Sequence, residues 1–156
     1  MNRRVFLSSL LPAAGAAVAA AAVRGDDAMY IGGTLQVPEK TEGKLDTTKE
    51  SNASFLSKKG QFDIPYTKIQ SIEYGQKAGR RVGAAIVVSP VLLLSKKRKH
   101  FLTVSFEDSQ GVKQSAVFEL SKGSVQPIVA ALEKRSGKKT EFESEDARKH
   151  FEKEAK

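Results

Sequence analysis

The chain has no cysteine among its 156 residues and only two histidines. The absence of cysteine excludes disulfide bonds, thiolate metal sites and lipid attachment through a cysteine side chain. Recognisable catalytic motifs are also missing: there is no Gly-x-Ser-x-Gly elbow, and residues 79–83 lack the Lys-Ser/Thr of a phosphate-binding loop. His100 and His150 do not stand in a metal-ligand spacing such as His-x-x-x-His. We therefore expect no enzyme, no metal and no cofactor, and we expect His100 to be a solvated residue where a strand starts.

The charge balance is basic, with 26 Lys and Arg against 18 Asp and Glu and a formal net charge of +8. A basic surface favours anionic partners. Nucleic acid is not expected among them, because Phe101 alone supplies an aromatic ring beside the basic run 96–99. With 40 % hydrophobic and 28 % charged residues, the composition is typical of one globular domain.

The first two dozen residues have the order of a signal peptide. Arg3 and Arg4 precede an uncharged run, Val5–Val23, whose small-residue end Ala20–Ala22 offers a cleavage site. The segment Asn2–Ser8 resembles the twin-arginine export pattern, although Ser8 stands where that pattern usually has Lys. We predict a signal peptide over residues 1–22 and an exported, periplasmic or membrane-associated extracytoplasmic protein. An uncleaved anchor is the alternative, since 19 residues make about 28 Å of helix, and a general secretory leader also remains open.

Seven strands are predicted from alternating apolar residues and turn signals. They are Tyr30–Gln36, Gly43–Asp46, Ser54–Lys58, Gln61–Ile64, Ile69–Gln76, Phe101–Glu107 and Val112–Leu120. Gly32-Gly33 indicates a bulge or a close backbone approach, and Lys59-Gly60 indicates a hairpin turn. Val125, Ile128, Val129 and Leu132 then form one helical stripe that faces the core. We expect Ser124 to cap this helix, Pro127 to lie in its first turn and Gly137 to end it.

Short strands followed by one amphipathic helix, and the stretch Phe62–Tyr74 with its apolar-Pro-Tyr turn and Ile-x-x-Ile-x-Tyr return, resemble bacterial PH-like and GRAM-like domains. The resemblance implies a mainly β fold, a small barrel of about seven strands capped by a C-terminal amphipathic helix, over residues 29–139. In that family the barrel is a scaffold whose lipid or peptide ligands vary. Residues 140–156 are expected to be a charged helical or disordered tail, with Ser144 as the cap of any helix there.

An apolar run, Val82–Leu94, interrupts this order between the fifth and sixth strands. It has no charge, and Pro90 bends it, while seven cations flank it. As one helix it would span about 20 Å, too short to cross a bilayer. We predict a hairpin insertion with both ends on one side of the domain. The expected membrane or partner contacts are the apolar Ile86, Val87, Val88, Pro90, Val91, Leu92, Leu93 and Leu94 and the basic Arg80, Arg81, Lys96, Lys97, Arg98 and Lys99.

Three interpretations of this insertion compete: insertion into an anionic lipid surface, extra core of its own domain, and burial in a homo-oligomer. They lead to one favoured function, a non-enzymatic module that binds a membrane surface or an envelope protein. The alternatives are an extracytoplasmic ligand carrier or hydrolase with a pocket in the barrel, and a homo-oligomeric structural envelope protein.

Overall fold

The main elements of the molecule are β-strands, whose sequences alternate apolar and polar side chains. The computed structural model of the protein describes residues 26–76 and 99–156, and within these ranges the chain forms eight strands and two α-helices. The strands are β1 (Asp26–Gly33), β2 (Thr41–Asp46), β3 (Asn52–Ser57), β4 (Gly60–Pro65), β5 (Ile69–Gly75), β6 (His100–Glu107), β7 (Lys113–Leu120) and β8 (Thr140–Phe142). The helices are α1 (Lys122–Ser136) and α2 (Glu145–Glu154), and a single 3-10 turn covers Tyr66–Lys68.

All eight strands belong to one sheet, in the order β4-β3-β2-β1-β7-β6-β5-β8. The sheet curls into a half-barrel. Neighbouring strands are antiparallel except β5 and β8, which run parallel. The prediction of a mainly β fold is confirmed, but about seven strands was one too few. The missing strand, β8, has three residues, which is too short for alternation to reveal it.

Two turn predictions are confirmed at the level of backbone register. The β1–β7 pairing shifts between Tyr30 and Gly32, so a bulge lies where the double glycine predicted one. A Cβ on Gly33, whose φ is +150°, would lie 2.1 Å from the carbonyl oxygen of Ser115, so the backbones also approach closely there. Ser57 pairs with Gly60 across the predicted β3–β4 hairpin.

Helix α1 packs its apolar stripe into the concave side of the sheet. Val125, Ile128, Val129 and Leu132 are all buried, as predicted. They meet an aromatic cluster from four strands, with ring centroids 5.2–6.2 Å apart, made of Tyr30, Phe55, Phe62 and Phe118. Tyr30, Phe55 and Phe118 are fully buried, and the partly buried Phe62 packs against them.

The start of α1 was predicted wrongly, whereas its end was predicted correctly. The backbone N–H of Ser124 donates to the carbonyl oxygen of Ser121 at 3.0 Å, so Ser121 is the N-cap and Ser124 lies inside the helix. Pro127 consequently lies beyond the first turn, inside the helix. Gly137 ends the helix in a left-handed conformation with φ 72°.

The C-terminal residues are ordered against the domain. After β8 joins the edge of β5, Ser144 caps α2 by accepting a hydrogen bond from the backbone N–H of Ala147 at 3.1 Å, as its sequence position predicted. Ala147 is 1 % exposed, and the half-buried Phe142 and Phe151 pack against the core. Residues 140–156, expected to be a charged helical or disordered tail, therefore contribute a strand and a docked helix.

Two further predictions lie outside the described residues: the signal peptide over residues 1–22 and the apolar insertion over residues 82–94.

Candidate functional site at the base of the β5–β6 connection

The connection 76–99 leaves and rejoins the sheet at one place. Strands β5 and β6 are antiparallel neighbours, and Tyr74 pairs with Leu102 and Gly75 with Phe101 at their common end. The two ends of the connection are therefore side by side, as the hairpin prediction requires. The predicted contact residues of the connection, with one exception, lie outside the described residues; they are Arg80, Arg81, Ile86, Val87, Val88, Pro90, Val91, Leu92, Leu93, Leu94, Lys96, Lys97 and Arg98.

Lys99 is the exception, and the structure places it at the base of the connection. Its Nζ lies 3.0 Å from the carboxylate of Glu119 on β7. Its side chain is 32 % exposed. Part of its charge is therefore already neutralised within the domain, which leaves the other cations of the run as stronger candidates for an external anion.

Glu143 holds the other end of the connection. Its side-chain Oε2 accepts a hydrogen bond from the backbone N–H of Gln76 at 3.1 Å, and its own backbone N–H donates to the carbonyl oxygen of Tyr74 at 2.9 Å. A Cβ on Gly75 would lie 2.6 Å from the same carboxylate oxygen, so a larger residue there would displace the Glu143 side chain. The segment between β8 and α2 thus fixes the point where the chain leaves the sheet.

His100 begins β6 at this base, and it is buried. The residue is only 8 % exposed, so the expectation of a solvated histidine was wrong. It was wrong because α2, which the sequence did not predict to dock, covers the strand start. The Nδ1 atom of His100 lies 2.8 Å from the hydroxyl of Tyr74, its neighbour on β5.

Helix α2 brings a second histidine and a carboxylate to the same point. His150 and Glu154 are one helical turn apart and so share a face of α2. Glu154 lies 3.4 Å from His100 Nε2, 3.8 Å from His150 Nδ1 and 3.5 Å from Lys122 Nζ. The two imidazole rings are 5.5 Å apart between centroids. We call His100, His150 and Glu154 the His–Glu cluster.

The surroundings of His100 favour its neutral imidazole form. Burial lowers the pKa of His100; the Glu154 carboxylate opposes this shift, while His150 and Lys122 add to it. Burial, reinforced by the charge of Glu154, raises the pKa of the Tyr74 phenol, so Tyr74 keeps its proton. Neutral imidazole offers a nitrogen lone pair, which is the form that binds metal ions. In the described part of the chain, one donor atom from each cluster residue lies within 4.8 Å of the other two.

Aromatic packing positions α2 beside the strands. The ring of Phe151 lies 5.1 Å from Tyr74 and 5.4 Å from Phe142, measured between centroids. The side-chain amide of Gln126 on α1 also donates to the carbonyl oxygen of Phe151 at 2.7 Å. These contacts hold α2 against β5, β8 and α1.

Sequence reasoning missed the cluster because it searched for two histidines in one local motif. The local signal that does exist is His150-x-x-x-Glu154, a one-turn spacing on a helix begun by a capping serine. His100 joins it only through the fold, so no spacing in the sequence could have identified the third member.

A second feature is a groove of about 910 Å³ beside β2 and the β3–β4 turn. Lys40, Lys44, Lys58 and Lys59 line it together with the carboxylates of Asp27 and Glu42. The lining therefore carries charges of both signs.

No protein family model and no curated protein sequence matches this chain. Within residues 26–76 and 99–156, neither helix has the length and apolar character needed to span a membrane.

Proposed function

We propose that the protein is an exported, non-enzymatic binding module that attaches to an anionic membrane surface through the connection 76–99. The observation that carries the proposal is the common base of that connection. A cation-flanked apolar run joins two paired strand ends, Gly75 and Phe101, so it extends from one place on the sheet. A segment held in this way can contact a surface without displacing the strands on either side.

The composition of the connection supports a lipid surface as the partner. Arg80, Arg81, Lys96, Lys97 and Arg98 flank the run closely, and each Lys or Arg near an anionic membrane contributes about 1 kcal/mol. Each apolar side chain that leaves water adds about 1.5–3 kcal/mol. Attraction by the cations and burial of the run would therefore act together on one membrane.

The order of the elements supports a PH-like scaffold. Seven strands run in the order β4-β3-β2-β1-β7-β6-β5, and α1 follows β7 and packs against the curled sheet. This order agrees with the resemblance of the stretch Phe62–Tyr74, whose Tyr66 is buried in the turn between β4 and β5. In such a scaffold the lipid or peptide ligands vary, and 76–99 is the longest connection between successive described strands.

Vesicle co-sedimentation tests the proposal. The processed chain from Val23, which retains every described element, is mixed with vesicles of neutral lipid alone or with about one third anionic lipid. We expect binding to the anionic vesicles that weakens as salt is added, because screening shortens the reach of surface charges. Replacing Arg80, Arg81, Lys96, Lys97 and Arg98 by Gln should weaken binding more than a hundredfold, at about 1 kcal/mol for each charge.

The matched control removes the same charge elsewhere. Lys138, Lys139, Lys149, Lys153 and Lys156 are exposed, and their replacement by Gln should leave vesicle binding within about threefold because they lie outside the connection. Equal losses in the two variants would mean that net charge alone drives binding and would defeat the proposal. Absence of binding to anionic vesicles would defeat it as well, and a dimer seen in sedimentation velocity would then favour burial of the run in a homo-oligomer.

A further inference from the structure

The His–Glu cluster joins residues that are remote in the sequence into one small group of ligand-type side chains. We propose that His100, His150 and Glu154 bind a divalent transition-metal ion, with zinc as the representative ion. This inference does not depend on membrane binding, because the cluster lies wholly within the described domain and its test uses no lipid.

The distances within the cluster fit such an ion. Zinc bonds to imidazole nitrogen and carboxylate oxygen are about 2.0–2.2 Å long, so two ligand atoms at a tetrahedral angle lie about 3.3–3.6 Å apart. His100 Nε2 is 3.4 Å from Glu154 Oε2, and His150 Nδ1 is 3.8 Å from the other oxygen, Oε1. One ligand atom from each of the three residues lies within 4.8 Å of the other two. Small rotations of the side chains would complete the geometry, and a water molecule would serve as the fourth ligand.

The donor set selects the class of metal. Two imidazole nitrogens and one carboxylate oxygen suit zinc, cobalt, nickel or copper. Magnesium and calcium prefer sets made only of oxygen atoms, and the cluster supplies oxygen from Glu154 alone. The cluster therefore predicts discrimination against the alkaline-earth ions.

Tyr74 is placed to orient the first ligand. Its hydroxyl lies 2.8 Å from His100 Nδ1, on the side of the ring opposite to Glu154. When Nδ1 carries the proton and donates it to the Tyr74 oxygen, the lone pair of Nε2 is directed toward the other two cluster residues. A hydrogen bond from the distal ring nitrogen is a regular feature of metal-bound histidine.

His150 supplies an independent observation. Its Nδ1 atom is buried and has no hydrogen-bond partner among residues 26–76 and 99–156. A polar atom in this state costs free energy unless something pairs with it. A metal ion shared with His100 and Glu154 would pair with it.

A metal-free ion-pair network is the competing explanation. Lys122 Nζ lies 3.5 Å from Glu154 and could serve as the countercharge. However, the Lys122 side chain is 75 % exposed and can turn to solvent, and it makes no contact that would satisfy His150 Nδ1. Glu154 also lies 3.8 Å from His150 Nδ1, which is too far for a hydrogen bond, so the network pairs the charges but leaves this nitrogen without a hydrogen-bond partner among the described residues.

Metal titration of the full-length protein, first freed of metal with a chelator, tests the proposal. We expect one zinc ion per chain by calorimetry, tetrahedral cobalt absorption in the visible range, and no comparable response to magnesium. Because the chain has only two histidines, zinc should shift the imidazole NMR signals of both. His100→Gln, His150→Gln and Glu154→Gln should each weaken zinc more than tenfold, and Tyr74→Phe about 10–100-fold.

Two further variants separate loss of a ligand from loss of the fold. Lys122→Met removes the competing cation and should tighten zinc binding, an effect that unfolding cannot imitate. Glu152→Gln makes the same charge change as Glu154→Gln on an exposed position of α2 and should leave the affinity unchanged. Zinc binding that is absent, that survives all three ligand substitutions, or that falls equally in Glu152→Gln and Glu154→Gln would overturn the proposal.

Discussion

Helix α1 ends in two polar regions of opposite character. At its C-terminal end, Arg135 donates from Nη1 to the carbonyl oxygen of Thr47 and to the hydroxyl of Tyr66, the latter at 3.1 Å. The guanidinium carbon also lies 5.3 Å from the centre of the Tyr66 ring. At its N-terminal end, Lys122 lies beside the His–Glu cluster, where no residue in the described part of the chain forms a hydrogen bond with His150 Nδ1.

This difference indicates a structural role for the groups around Arg135 and a binding role for the His–Glu cluster. The groups around Arg135 pair with one another: Tyr66 donates to Thr47 at 3.3 Å, and Asp46 accepts from the backbone and the hydroxyl of Thr48 at 2.8 and 2.7 Å. Such a network stabilises the fold and needs nothing from outside. In the His–Glu cluster Glu154 pairs with His100 Nε2 and with Lys122, but His150 Nδ1 has no hydrogen-bond partner among the described residues, so one buried nitrogen is left for a bound ion.

The largest expected effect on stability comes from breaking the hydrogen-bond network around Arg135. Arg135→Met should lower the free energy of unfolding by about 2 kcal/mol, because it removes hydrogen bonds from a charged group. Urea unfolding measures this loss, and Lys134→Met, which removes the same charge from an exposed neighbouring position, should cost less than about 0.5 kcal/mol. Zinc affinity should be unchanged in both variants. A loss of zinc binding in Arg135→Met would show that the two ends of α1 are not independent.

The pH dependence of stability tests whether ionised Asp46 stabilises the network around Arg135. Burial alone would raise the pKa of this carboxyl, but hydrogen bonds from Thr48 and the charges of Lys49 and Arg135 together lower it. A lowered folded-state pKa stabilises the protein above the unfolded value, about 3.9, and this contribution is lost as the pH falls through the folded value. Asp46→Asn should therefore cost about 1 kcal/mol at pH 7, and progressively less below about pH 4.

The control for Asp46 is Glu50→Gln in the same loop, where the side chain is exposed. Glu50→Gln should change the free energy of unfolding by less than about 0.5 kcal/mol at both pH 7 and about pH 3. If the cost of Asp46→Asn were the same at pH 3 as at pH 7, the stabilisation would not come from the ionised carboxylate.

The sequence predicted what local periodicity encodes. The β6 residues Leu102, Val104 and Phe106 alternate with polar residues and are all buried, and the stripe of α1 lies in the core as expected. The bulge near Gly32 was predictable because a double glycine inside a strand has few other uses. The features that the sequence predicted were thus those that depend on a residue and its near neighbours in the chain.

Features that depend on distant partners were not predicted. Strand β8 has three residues and forms only by pairing with β5, and the docking of α2 depends on aromatic contacts that two isolated phenylalanines did not indicate. His100 is buried only because α2 covers it, so a reading limited to its neighbours in the sequence placed it in solvent. The His–Glu cluster combines these two effects.

The smallest expected effect concerns the cap of α2, which carries two of the three cluster residues. Ser144→Ala removes the hydrogen bond to the backbone N–H of Ala147 and should destabilise α2 by about 0.5–1 kcal/mol. Hydrogen exchange of the α2 amides should accelerate roughly twofold to fivefold, while the β6 and β7 amides keep their rates. Ser144→Asp preserves a capping oxygen and should keep the slow rate. Because zinc would bind only when His150 and Glu154 are in place, saturating zinc should slow exchange in Ser144→Ala again; acceleration that zinc leaves untouched would mean that α2 opens without breaking the cluster.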